Sequence, residues 1–129
     1  MLDRKSLLAE LAAQPLDFSR CWLTAGGALV LWGLRQATHD IDLGCETSLA
    51  DELEHAGFPE AQKPDGSRKF HLPPNTDVFE NWGRGTVDVI DGIPVVSLAD
   101  LLALKRQLNR EKDQADIAAL EKALGKNRT

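Results

Sequence analysis

Two short stretches of this chain carry residue types whose spacing suits chemistry: Gly26-Gly27 and, a dozen residues on, Thr38-His39-Asp40-Ile41-Asp42-Leu43. Read as a strand, the second stretch sends Asp40 and Asp42 to one face and Ile41 and Leu43 to the other. The carboxylates then lie about 7 Å apart and repel each other, so the pair must be solvated or hold a cation. Hard oxygen ligands at that spacing suit Mg2+, which keeps several waters and takes its remaining ligands from substrate phosphates. Trp22-Leu23-Thr24-Ala25 reads as a short apolar strand and the run from Gly27 to about Arg35 as a helix, so the glycine pair forms the turn between them. Glycines let backbone N–H groups converge on an anion, and the helix start adds its positive dipole end. A triphosphate can bridge the glycine turn and the metal.

The elements that must position these residues are legible as patterns. Leu7, Leu8 and Leu11 recur at helical spacing from Arg4 to Ala13, and Pro15 stops that helix. Ile41 to Cys45 is the strand that carries the acidic pair. Ser48 and Asp51 resemble a capping box for a helix with Leu49, Leu53 and Ala56 on its apolar face. Glu60 to Ser67 is a polar surface stretch. Three β-like segments follow, Lys69 to Leu72, Thr76 to Glu80 and Thr86 to Ile90, and Asp91-Gly92 turns the last of them back into Ile93 to Val96. Ser97 and Asp100 repeat the capping pattern before a helix to Leu108, and a final helix runs from about Lys112 to Leu124, with Gly125 as its end. The fold expected is α+β, a mixed α/β sandwich in which helices flank a mixed β-sheet.

Composition limits the function classes. At 129 residues and 43% hydrophobic, the chain suits a single domain spanning 1–129. A net charge of -5 argues against a general nucleic-acid coat. A local basic groove stays open, with Arg35, Lys63, Arg68, Lys69, Arg84, Lys105, Arg106 and Arg110 as candidates. Cys21 and Cys45 sit in apolar segments and read as buried free thiols rather than a disulfide framework or zinc site. No stretch has the length and apolarity of a membrane span and none resembles a signal peptide, so a cytoplasmic protein is the default expectation.

A glycine pair, a spacer of one helix and a turn, then Asp-hydrophobic-Asp-hydrophobic resembles the polymerase-beta-like nucleotidyltransferase superfamily. Within it, Gly26-Gly27-Ala28-Leu29 and Arg35-x-x-Thr38-x-Asp40-Ile41-Asp42-Leu43 resemble the AbiEii-type branch of minimal, toxin-associated nucleotidyltransferases. Leu101 to Lys105 and Arg110 to Leu120 are similar to that branch's closing helices. The resemblance implies transfer of a nucleoside monophosphate from an NTP to an acceptor hydroxyl, with two Mg2+ ions and pyrophosphate release. The acceptor would be tRNA, a protein or a small molecule, and a partner protein or a second protomer would complete the acceptor surface.

The same resemblance assigns roles. Asp40 and Asp42 would hold both ions. Asp77, in Thr76-Asp77-Val78-Phe79, stands where the family carries its third carboxylate, with Asp88 as the rival. Gly26 and Gly27 would hold the β- and γ-phosphates, and Lys105 would be a triphosphate ligand supported by Arg110 and Lys112. Arg35 reads either as a phosphate contact or partner of Asp40 or Asp42, or as a cation at a helix C-terminus. Thr38 reads as a turn-capping hydroxyl, His39 as exposed or structural, and Asp113 and Asp116 as helix-start charges with local ion-pair partners. Trp22 and Trp32 belong to the core and Trp82 to the rim of a cleft. The branch places Thr or Ser within or directly after its glycine pair, where this chain has Ala28. That departure keeps a second expectation in view, a catalytically weak nucleotide-binding or partner-binding module of toxin-antitoxin type.

Overall fold

The computed structural model describes residues 1–126. The first half of the chain runs β1 (Leu2–Asp3), α1 (Arg4–Ala13), β2 (Cys21–Thr24), α2 (Ala25–Leu31), β3 (Ala37–Thr38), β4 (Ile41–Cys45) and α3 (Thr47–His55). There follow β5 (Glu60–Gln62), β6 (Arg68–Leu72), β7 (Thr76–Glu80), β8 (Val87–Ile90) and β9 (Ile93–Val96). The chain continues through α4 (Leu98–Leu108), a 3-10 turn (Glu111–Asp113) and α5 (Gln114–Lys126). Seven strands form one mixed sheet in the order β5-β6-β7-β4-β2-β9-β8, while β1 and β3 make a small ladder of their own. The class is α+β, with helices flanking the sheet, as the alternation of patterns implied.

Registry decides what each face of the sheet carries. Leu23 pairs with Leu43, Leu43 with Val78 and Val78 with Phe70, so four fully buried side chains line up across β2, β4, β7 and β6. α1 and α2 pack on this face, since Leu23 and Leu7 both crowd Gly27. α3 joins them, and Arg68 ties it to the sheet through Asp51 at 2.9 Å and Glu80 at 2.7 Å. The Arg68 guanidinium holds the Glu80 carboxyl down to about 2.

The opposite face is more open. One row reads Thr24, Asp42, Asp77, His71, and the next reads Trp22, Gly44, Phe79, Lys69, across the same four strands. Gly44 has a steric reason: a Cβ there would lie 2.1 Å from both Trp22 Nε1 and the Trp82 carbonyl oxygen. Trp22 Nε1 donates to that oxygen at 2.8 Å, which pins the loop after β7 over the sheet.

Several boundaries differ from the sequence expectation, each for a local reason. α2 begins at Ala25 and ends at Leu31 instead of reaching Arg35. Gly33 takes a φ of 79°, its N–H reaches Val30 O, and Leu34 N–H reaches Leu29 O, the double bond of a Schellman motif. Ser97 caps α4 by accepting from Asp100 N–H, whereas α3 starts at Thr47 with Glu46 ahead of it and no side-chain cap. The polar stretch from Glu60 contains the edge strand β5, and Gly125 lies inside α5 instead of ending it. Cys21 and Cys45 are buried free thiols that face each other across β2 and β4. Burial pushes them up to about 12 and about 11. Among the described residues no helix is long and apolar enough to cross a membrane.

Gly44→Ala tests the second row. Overpacking at this crossing lowers unfolding stability by about 2 to 3 kcal/mol in urea denaturation. A loss within measurement error would show that the Trp22 and Trp82 contact does not constrain the sheet.

Candidate active site

A cavity of about 820 Å3 opens beside the Asp42 end of the carboxylate row, and its lining does not include Asp77. Asp40, Asp42, Ala25, Gly26, Thr38 and Trp82 line one side of it, and Arg35, Lys105, Arg110, Asp113 and Asp116 line the other. Trp82 thus stands at the rim, as its place beside Gly83 suggested, while Trp22 is buried. Asp40 precedes β4 and is exposed, so the two acidic residues do not both sit within the strand.

Asp42 and Asp77 are register partners on the parallel strands β4 and β7 and therefore project from the same face. Two devices hold β7 in place. Glu10 of α1 accepts hydrogen bonds from Asn75 N–H at 3.0 Å, Asn75 Nδ2 at 2.9 Å and Thr76 Oγ1 at 2.6 Å, gripping the turn before the strand. Arg68 grips its other end through Glu80. Asp88 lies on the edge strand β8 opposite Val95, which is itself the partner of Leu23. That registry gives Asp88 the helix-covered face, three strands from Asp42.

Burial, then the charges of Asp77 and Asp40, push the Asp42 carboxyl up to about 6. Its cross-strand neighbour Thr24 is fully buried, and Thr24 Oγ1 has no hydrogen-bond partner. The row therefore holds a desolvated carboxylate, which forms no ion pair among the described residues, beside a buried hydroxyl oxygen without a hydrogen-bond partner. Among the described residues, no three His, Cys, Asp or Glu side chains gather around one point. Such an open, one-sided oxygen set fits Mg2+, which binds through one or two carboxylates and completes its shell with water and phosphate, and does not fit a closed zinc site.

Sequence reasoning missed His71. Its Nδ1 stands 2.9 Å from Asp77 Oδ1, a contact created by the β6–β7 hairpin register and invisible to spacing along the chain. The signal available was the alternation of His71 with Phe70 and Leu72, which places it on the same face as Asp77 once the hairpin is closed.

The glycine pair is not an open loop. The corner between strand and helix falls at Ala25, whose φ of 55° is left-handed, and both glycines lie buried within α2. Gly26 lines the cavity, and a Cβ there would meet Arg35 Nη1 and Thr38 Oγ1, both at 2.6 Å. Gly27 instead packs on Leu23 and Leu7, away from the cavity. Thr38 Oγ1 donates to the Asp40 carbonyl at 3.1 Å, the local turn bond expected of it, and His39 is exposed.

At the far wall Lys105, Asp113 and Asp116 are buried, while Arg110, Glu111 and Lys112 between the two helices are exposed. Lys105 is 8% exposed, and its Nζ stands 3.3 Å from both Asp113 Oδ1 and Asp116 Oδ2. Arg110 grips Asp113 through Nε at 2.7 Å and Nη2 at 3.0 Å. Arg35 grips both oxygens of Asp116, at 2.8 and 3.1 Å, and forms no pair with Asp40 or Asp42. It lies beyond the end of α2, so the helix-dipole role lapses as well. Arg110, and then Lys105, hold the Asp113 carboxyl well below the usual range. Three cations share two carboxylates, which leaves this wall positive opposite an acidic floor.

The Asp42 shift has a definite sign. The folded state keeps this proton to higher pH than the unfolded chain does, so the associated stability is present below about pH 4 and lost as pH rises through about 6. Asp42→Asn escapes that loss, and its melting temperature should exceed wild type at pH 8, by on the order of 2 kcal/mol in stability, with the gap closing toward pH 4. A gap independent of pH would contradict the shift. Neither a family model nor a curated protein matches the chain.

Proposed function

We propose that the chain is a Mg2+-dependent nucleotidyltransferase that moves a nucleoside monophosphate from an NTP to an acceptor hydroxyl. The observation that carries this reading is the pairing of Asp42 with Asp77 on one sheet face, with Asp42 at the edge of a cavity whose other wall is positive. A metal–triphosphate complex has the same polarity, with a cation for the floor and anionic oxygens for the wall. The resemblance of Gly26-Gly27 and Asp40-x-Asp42 to the nucleotidyltransferase pattern supports it from the sequence.

In this reading Asp40 and Asp42 hold the metal ions, Asp77 binds on the acceptor side, and Arg35 and Lys105 orient the triphosphate. When bound, Mg2+ neutralises the triphosphate and lowers the pKa of the attacking hydroxyl. The acceptor oxygen forms a bond to the α-phosphorus as the bond to the β-phosphate oxygen breaks, and pyrophosphate leaves. Asp77 receives the hydroxyl proton on the acceptor side, with His71 steadying its other oxygen. The chain's contribution is positioning and charge neutralisation.

A second reading has its own support. Arg35 and Lys105 already satisfy Asp113 and Asp116, and Ala28 brings no hydroxyl to the turn, which suits a nucleotide-binding or partner-binding module of toxin-antitoxin type with weak turnover.

Incubation with each labelled NTP, Mg2+ or Mn2+, and tRNA, protein or small-alcohol acceptors separates the two. The enzyme reading expects a labelled product, with Asp42→Asn cutting the rate by about 10²- to 10³-fold. Metal-dependent NTP binding without product from any acceptor selects the module. Calorimetry with Mn2+ further distinguishes the carboxylates: Asp77→Asn weakens binding about 10- to 100-fold and Asp88→Asn leaves it unchanged. Loss with Asp88→Asn alone would overturn the assignment of Asp77.

A further inference from the structure

The second row of the open face carries chemistry that nucleotidyl transfer leaves unused. Phe79 and Trp82 lie with ring centroids 4.8 Å apart, both half-buried. Lys63 Nζ sits 5.7 Å from the Phe79 centroid and 5.5 Å from that of Trp82, and Lys69 Nζ sits 5.2 Å from Phe79. Arg84 lies 5.1 Å over Trp22. Neither Lys63 nor Lys69 forms an ion pair among the described residues. Arg84 is paired with Glu46 at 3.5 Å, so the two lysines are the cations left without an ion pair over these aromatic faces, on a chain of net charge -5.

We propose that this aromatic and cationic platform binds the end of a single-stranded nucleic acid, which is the acceptor. Bases stack on aromatic faces whatever their sequence, while lysines and arginines track the backbone phosphates. The lysines now resting on the rings are long and flexible, so each can swing to a phosphate as a base takes its ring face. Both members of every cation–π pair then keep a partner. Placement supports an acceptor role. Phe79 lies two residues from Asp77 on the same strand and face, about 7 Å away along β7. A terminal base stacked on Phe79 and Trp82 brings its ribose hydroxyl toward the Asp77 end of the carboxylate row. Assignment as acceptor rests on the nucleotidyl-transfer reading; the platform shares only Trp82, at the rim, with that cavity.

Fluorescence anisotropy of the full chain with a short labelled single-stranded RNA tests this. Binding should weaken with salt between about 50 and about 200 mM, and the double variant Lys63→Gln, Lys69→Gln should flatten the log–log slope by about 1.4, at about 0.7 per phosphate. Trp82→Leu keeps the backbone carbonyl that Trp22 uses and should weaken binding about 5- to 100-fold. Lys5→Gln with Lys122→Gln, an equal charge change on distant exposed helix positions, should leave it intact. No binding at low salt, or equal losses in both lysine pairs, overturns the platform. Free NTP displacing the RNA as well as unlabelled RNA does also overturns it, because the rings would then serve the donor base. Product on a protein acceptor without RNA binding refutes the platform and leaves the chemistry standing; RNA binding without product from any NTP supports the platform and refutes the chemistry.

Discussion

Asp42 and Asp77 project side by side from adjacent strands, and in a half-buried place two such carboxylates cannot both stay ionised without a counter-charge. The repulsion is expressed in Asp42, whose carboxyl is raised to about 6 by burial first and by Asp77 and Asp40 after it. A sheet arranged only for stability would place an apolar side chain there, as the opposite face does with Leu43 and Val78. The two faces of the same strands thus show what the fold does when free to pack and what it does where the acids converge. Glu10 and Arg68, gripping the two ends of β7, hold Asp77 against that repulsion.

Positive charge is present nearby but committed elsewhere. Lys105, Arg35 and Arg110 are locked to Asp113 and Asp116, so the protein keeps its cations on the wall rather than letting them collapse onto the acidic floor. Buried pairs of this kind return little net stability, because desolvation offsets most of the attraction. Their effect is geometric: they fix the junction of α4 and α5 and maintain a cavity with opposite charges on its two sides. Gly26, buried where any Cβ would strike Arg35 and Thr38, lets that wall approach the start of α2.

Local patterns were readable in the sequence and lateral ones were not. The alternation of Ile41 and Leu43 with Asp42 marked β4 and its two faces, and Asp91-Gly92 marked the β8–β9 turn, because both are set by neighbours along the chain. Ser97 capped its helix as read, while the same pattern at Ser48 did not, since α3 begins two residues earlier than that cap implies, behind Glu46. The end of α2 was misplaced because Gly33 was read as part of an apolar run rather than as a left-handed stop. His71 beside Asp77, Thr24 beside Asp42, and Arg35 on Asp116 all depend on strand register or on contacts spanning dozens of residues. A one-residue slip in register would move His71 or Thr24 to the other face, and Arg35 and Asp116 are 81 residues apart, which is why spacing alone could not supply these contacts.

Side-chain carboxyl NMR reports the central electrostatic claim most directly, with the Asp42 signal assigned by its absence in Asp42→Asn. Without metal, Asp42 should titrate near 6. With saturating Mg2+, its midpoint should fall below about 4, because the ion supplies the missing positive charge. A midpoint near 4 in both conditions would contradict the account, since Asp42 would then be neither desolvated by the fold nor coupled to a cation.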